Sequence, residues 1–289
     1  GFAVTKAGLI DKTGSDKISA LISRVTMPAM YIATFMAQQY SAEKMKQCGV
    51  LLGISLFYYV IALAVSVVFV KLTRSDMSSR GVYQFLIIFS NAAYMGFPVL
   101  RAVLGEEAIF YGAFFNLPFN IFAYSLGIYL LRRGRSGGEF KKSEMFLNPG
   151  TIGVLFGALL YIISPLFNQT RAYELIYRGI LYKGLDMIGD VTIPLSMLVI
   201  GSVLATVKLG AVVNNLRIYA VCAVRLLLMP ALMLLCVLPL NLAPTVRGIP
   251  VLISGMPCAV FCVILSKEYG GDEKTASVGV FMSTLLSAL

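Results

Sequence analysis

Asn91 offers the most suggestive chemistry in the chain. It stands in Phe85 to Gly105, FLIIFSNAAYMGFPVLRAVLG, a stretch otherwise apolar enough to enter a membrane. Its carboxamide is a neutral donor that can hold a carboxylate without a permanent charge. Ser90, Gly96 and Pro98 make the same stretch poor material for a lipid-facing helix. Hydrocarbon cannot satisfy an amide, and proline leaves the carbonyl four residues earlier without a partner. Such a segment is tolerated only where it is buried in protein or lines a wet cavity. An interruption near Ser90–Asn91 would aim free N–H groups and a helix N-terminus into that cavity, favouring an anion. The alternative is that Asn91 only satisfies the broken backbone. Val251 to Gly271 has the same character, with Gly255, Met256, Pro257 and Cys258 at its centre. Two interrupted spans in corresponding halves of a membrane protein point to a transport site.

Other polar or reactive groups within apolar runs are few. Arg225, in YAVCAVRLLLMP, is the one charge near the centre of a span. Placing it there costs about 2.5–3.5 kcal/mol on insertion scales, which makes it a functional candidate. It would attract a substrate anion, close a salt bridge, or bind carbonyls freed by an interrupted helix. Asn116 and Asn120 lie four apart, on one helical face, as ligands or as interhelical glue. Tyr94, Met95, Met256 and Phe261 are candidates for an apolar pocket wall, with core packing as the alternative. Cys258 and Cys262 also share a face, where packing outweighs metal binding. Asp190 is the nearest approach to a membrane carboxylate, but it sits by the start of its span, as a helix-end charge would.

Several function classes find no support. The sequence carries no Walker A motif, no GxSxG and no paired carboxylates in a plausible pocket, and it contains no histidine. No enzyme, cofactor or metal site is expected. The five cysteines lie in or beside apolar runs and read as free buried thiols.

These groups must be held by membrane helices. The chain is 58% hydrophobic and only 13% charged, with mean hydropathy +0.83. A soluble domain is about 45–50% apolar and about 25% charged, so the chain is expected to be an all-α polytopic membrane protein, with the lipid bilayer and not nucleic acid as its surroundings. Apolar runs of roughly 20 residues predict spans near 18–38, 47–70, 82–103, 107–131, 149–167, 188–206, 216–240, 249–267 and 273–289. Residues 1–17 read as a polar loop with the tail of a preceding helix, and 171–187 as an interfacial stretch.

An internal repeat accounts for the odd number of spans. Val25-Thr26-Met27-Pro28 recurs as Val191-Thr192-Ile193-Pro194, Arg80-Gly81-Val82 as Arg247-Gly248-Ile249, and Gly105-Glu106-Glu107 as Gly271-Asp272-Glu273. All three pairs share one spacing to within a residue, and at that spacing Pro257 corresponds to Ser90. The repeat predicts two five-helix halves of opposite orientation, with a first helix before Gly1 and a last helix cut short. One set of loops, including 71–81 and 132–148, carries most of the 24 Lys and Arg. The positive-inside rule puts that set in the cytoplasm of a cell membrane and both complete termini outside.

The segment Asn91-Ala92-Ala93-Tyr94-Met95-Gly96-Phe97-Pro98 resembles the N-x-x-x-M-G-x-P segment of the auxin efflux carriers, the PIN-like transporters. Met256-Pro257, followed by Lys267-Glu268-Tyr269 and the GGDE stretch from Gly270, resembles that family's second interrupted helix. The resemblance implies a ten-helix inverted repeat in which spans 4 and 9 cross at their broken centres. It implies a scaffold domain from 1–42 and 148–208, a transport domain from 43–133 and 209–289, and a cytoplasmic linker at 134–147. It also implies a homodimer, elevator-like movement and an organic anion, often a mono- or dicarboxylate, at the crossover. Asn91 matches the family's carboxylate-binding asparagine. Ser90 stands where plant members carry proline, and Cys258 and Phe261 replace more polar residues common near the second break. Without a buried carboxylate relay, membrane potential would suffice to drive export, at about 2.3 kcal/mol per charge per 100 mV. The alternatives are a sodium- or proton-coupled symporter using hydroxyls such as Ser254 or Thr284, and a membrane sensor that binds its ligand without moving it.

Overall fold

The computed structural model describes residues 1–132, 148–168, 170, 173–206 and 215–288. Its helices in chain order are α1 (Phe2–Lys6), α2 (Thr13–Ala37), α3 (Ala42–Leu72), α4 (Met77–Ile88), α5 (Ala92–Leu104), α6 (Glu107–Arg132), α7 (Pro149–Leu166), α8 (Gly179–Ala205), α9 (Leu216–Val237), α10 (Pro244–Ser254), α11 (Phe261–Tyr269) and α12 (Glu273–Leu286). Helices α2, α3, α6, α7, α8 and α9 are long and apolar enough to cross a membrane. Helical backbone meets its own hydrogen-bonding needs, which hydrocarbon cannot. The protein is an all-α polytopic membrane protein. The expected linker at 134–147 and most of its basic loop lie outside the described residues.

Proline shapes three of these helices. Wide π-turns at Ile22–Thr26, Ala92–Gly96 and Val224–Leu228 each end two residues before a proline, at Met27-Pro28, Phe97-Pro98 and Met229-Pro230. Proline lacks an N–H and crowds the carbonyl four residues back, and a wider turn moves that carbonyl aside. The helices bend and continue.

Of the stretch 171–187 expected to be interfacial, residues 179–187 belong to a helix apolar enough to span, and 171–172 lie outside the described residues. Tyr173–Tyr182 is helical and runs through Lys183–Asp190 into Thr192–Thr206. The part of this helix that is long and apolar enough to span, Gly179–Ala205, thus starts well before residue 188. Lys183, Asp186 and Asp190 lowered the local hydropathy, but Asp190 meets Arg101 at 3.3 Å, and Gly189 is buried where its helix touches α2. The first full span likewise starts earlier than expected, at Thr13.

Helix α2 packs along α7 and α8. A Cβ added to Gly153 would stand 2.8 Å from Pro28 Cα, one on Gly157 2.6 Å from the Phe35 ring, and one on Gly189 2.7 Å from Met30 Cα. Small residues let membrane helices approach this closely. Elsewhere α3 packs on α4 and α6, α10 on α9, and α12 on α11.

Buried side chains form two large clusters. One holds Tyr58, Phe85, Phe89, Met233 and Cys258, and the other Tyr31, Phe35, Ala92, Phe97 and Ile253. The chain passes from one cluster to the other between Phe89 and Ala92, and again between Ile253 and Cys258. Polar groups concentrate at that seam.

Candidate functional site

Helix α4 ends at Ile88 and α5 begins at Ala92, while α10 ends at Ser254 and α11 begins at Phe261. The two gaps meet. Ser90 and Cys258 form an antiparallel bridge, in which the Asn91 N–H donates to the Pro257 carbonyl at 2.8 Å and the Ala259 N–H to the Phe89 carbonyl at 3.0 Å. The Cys258 N–H donates to Ser283 Oγ at 3.0 Å. Each break thus satisfies the backbone of the other, which buried polar groups require.

Breaking two helices leaves two sets of C-terminal carbonyls inside the protein. Arg225, fully buried, answers both. Its Nη1 donates to the Ile87 carbonyl at 2.8 Å, Nη2 to Ser254 at 2.8 Å and Nε to Met256 at 3.0 Å. Nη1 also donates to the Tyr58 hydroxyl, which in turn donates to the Ile88 carbonyl at 2.9 Å. Each helix C-terminus carries roughly half a negative charge, so two of them offset one guanidinium. Of the three roles open to Arg225, the structure assigns the binding of freed carbonyls. Arg225 does not line the cavity at the other ends of the broken helices.

The opposite ends of the broken helices face open space. A cavity of about 280 Å³ is bounded by Ser90, Asn91 and Ala93 at the start of α5 and by Ala259 and Phe261 at the start of α11. Asn148, Pro149 and Gly150, at the start of α7, complete one side. Three helix N-termini therefore converge, each roughly half a positive charge. Asn91, Asn120 and Asn148 are among the residues that line this cavity, and the Nδ2 group of each is buried without a hydrogen-bond partner. Asn91 is 2% exposed and Asn148 8%. Phe119, Tyr124 and Phe261 form an aromatic wall, with the Tyr124 and Phe261 rings 5.3 Å apart, edge to face.

A wider space of about 520 Å³ adjoins it. The two share Ser23, Arg24, Tyr94, Tyr124, Phe261 and Glu268, and the wider one reaches Asp16, Lys267 and Glu273. Arg24 has an exposed side chain and no ion-pair partner among the described residues.

The expected residues separate into groups. Ser90, Asn91, Tyr94, Asn120 and Phe261 line the cavity, whereas Asn116 is buried on α6 with its Nδ2 3.5 Å from the Tyr31 hydroxyl. Met256, Pro257 and Cys258 build the crossing and do not reach the cavity. Gly255 caps α10, while Gly96 and Pro98 lie beyond the first break, in and after the π-turn. Asn148 and Arg24 were not among the expected site residues. The Asn-Pro-Gly start of a helix was the available sign for Asn148, since Asn is a favoured N-cap and Pro a favoured first residue.

The full length of this chain, residues 1–289, matches the family described as "Membrane transport protein". The chain belongs to that family. The membrane transport protein family is the one to which the auxin efflux carriers belong, as the Asn91 and Met256-Pro257 segments indicated. A protein of Methanothermobacter thermautotrophicus described as "Uncharacterized transporter" is 27% identical over 202 residues, which cover 68% of this chain and 61% of the relative. The match thus spans about three-fifths of that relative's length. Family and relative are both described in terms of membrane transport.

Proposed function

We propose that this transporter is a secondary carrier of a small organic anion, with the carboxylate held beside Asn91. The observation that carries this reading is that three residues lining one cavity, Asn91, Asn120 and Asn148, each keep a buried carboxamide N–H2 without a partner. Nearly all buried polar groups have a partner, so three unpartnered donors on residues around one cavity favour an acceptor-rich guest. The three helix N-termini add positive potential without a fixed cation, which suits a carrier that must also let go. The aromatic wall of Phe119, Tyr124 and Phe261 would receive an organic body.

Movement follows the elevator scheme. The tight glycine contacts among α2, α7 and α8 suit a scaffold, and the crossing with its surrounding helices would move as the transport domain, within a homodimer of inverted repeats. The cavity widens toward Asp16 and Lys267, on the side that loop charge assigns to the cytoplasm, which suits loading from inside. Membrane potential would then drive export. The hydroxyls considered for a coupling ion each donate to a carbonyl of their own helix: Ser254 Oγ to Val251 at 2.9 Å, and Thr284 Oγ1 to Val280 at 2.7 Å. No observation favours the symporter or the sensor.

The test is uptake of radiolabelled carboxylates into proteoliposomes under an imposed potential, with Asn91→Ala beside the wild type. The account expects voltage-dependent flux that the variant loses. Equal flux in the two would refute the site, and flux indifferent to voltage would refute the electrogenic mechanism.

A further inference from the structure

The crossing supplies one set of donors, but the opposite wall of the cavity comes from a different part of the fold. We propose that the first turn of α7 is the second jaw of the ligand site, with Asn148 donating to one carboxylate oxygen while Asn91 donates to the other. This rests on the reading that a carboxylate occupies the cavity.

Four observations carry it. Asn148 is the N-cap of α7, and its Oδ1 accepts from the Thr151 N–H at 2.9 Å. That bond fixes which end of the amide is which, so the N–H2 end is the one left over. It is buried, has no partner, and belongs to a residue that lines the cavity. Finally, Pro149 has no N–H, Thr151 and Ile152 are bonded to Asn148, and so Gly150 retains the remaining N–H of the turn beside the same cavity.

The neighbouring helix closes the arrangement. A Cβ on Gly150 would lie 3.3 Å from Asn148 Oδ1 and 3.5 Å from Asn120 Nδ2. A side chain there would press on the Asn148 carboxamide and come into contact with that of Asn120. Asn148 packs with α7, the partner of α2, whereas Asn91 belongs to the crossing. A ligand held by both would bridge the two, and sliding one past the other would withdraw a donor. Binding would be tightest in the arrangement seen here and would weaken as the crossing moves.

This jaw also sets selectivity. Its Oδ1 is turned to the helix cap, so the end of Asn148 left without a partner is a donor. A carboxylate, with two acceptor oxygens, fits between it and Asn91, but a primary amide of the same shape would bring an N–H2 group against one of them.

Asn148→Asp tests this directly. Aspartate caps a helix as well as asparagine does and is favoured at an N-terminus, so the fold is retained while the donor becomes an anion. Acetate, benzoate and succinate are screened by thermal shift against acetamide, benzamide and succinamide, and the best carboxylate is titrated. The wild type is expected to prefer carboxylate to amide. Asn148→Asp is expected to bind that carboxylate at least about tenfold more weakly, the scale of a lost hydrogen bond to a charged group, and to lose the preference. Wild-type affinity and preference in Asn148→Asp, with binding abolished in Asn91→Ala, would overturn the second jaw and leave the site standing. Unchanged binding in both variants, or no preference in the wild type, would overturn the site itself and this inference with it. Should Asn148→Asp fail to fold, Gly150→Ala replaces it: its methyl crowds the Asn148 carboxamide, and weakening of several-fold is expected, with wild-type affinity the refuting result.

Discussion

The Asn91 N–H donates to the Pro257 carbonyl at 2.8 Å. Through that bond the break in one helix is completed by the break in another, and the Asn91 side chain is released from the task of satisfying its own backbone. A residue that needed its carboxamide to repair the chain would have nothing left for a ligand. Here the backbone repairs itself across the crossing, and Nδ2 stays free.

Arg225→Met should destabilise the protein severely. The carbonyls of Ile87, Ser254 and Met256 would lose their donors inside the protein, at about 1–3 kcal/mol for each buried unsatisfied group. Melting in detergent should fall sharply. Arg225→Lys should recover only part of the loss, because an ammonium lacks the planar fork that reaches several carbonyls. Wild-type melting in Arg225→Met would contradict the role assigned to the guanidinium.

Arg24→Gln should weaken anion binding through long-range attraction. The side chain is exposed beside both connected spaces, where its field is screened over roughly 10 Å at 0.1 M salt. Carboxylate affinity should fall a few-fold at low ionic strength, and the gap from wild type should close as salt rises. A deficit independent of salt would indicate direct contact instead.

Gly157→Val should disrupt the α2–α7 contact, since even a Cβ there would stand 2.6 Å from the Phe35 ring. Gly184→Ala makes the control: nothing lies within 4 Å of its Cβ, and exchanging a helical glycine for alanine gains up to about 1 kcal/mol. Size-exclusion profiles and melting curves should separate the two clearly.

Asp190→Asn should be nearly silent. Its carboxylate, 59% exposed, meets Arg101 at 3.3 Å, and surface ion pairs contribute about 0–1 kcal/mol. Carboxylate affinity and flux should match the wild type. A large loss of flux would restore Asp190 as a proton or ion relay.

Sequence showed where the helices fail because glycine, proline and asparagine are conspicuous within apolar runs. It did not show which side of each failure faces a cavity. Met256 and Pro257 are as conspicuous as Asn91, yet they form the crossing. Asn148 escaped notice because it lies just outside a span, where polar residues are ordinary, and its significance comes from a helix start folding against the opposite half of the chain. Arg225 was visible as an anomaly, but only the two helix C-termini around it choose among its possible roles. The early start of α8 was hidden by charges whose neutralisation depends on Arg101, far away in sequence.

The most direct measurement is a structure of the protein with the best-binding carboxylate, brominated so that its anomalous signal locates it. The account predicts a carboxylate oxygen within about 3 Å of Asn91 Nδ2 and the organic body against Phe261. Bromine density away from the crossing, with the Asn91 carboxamide contacting nothing, would contradict it.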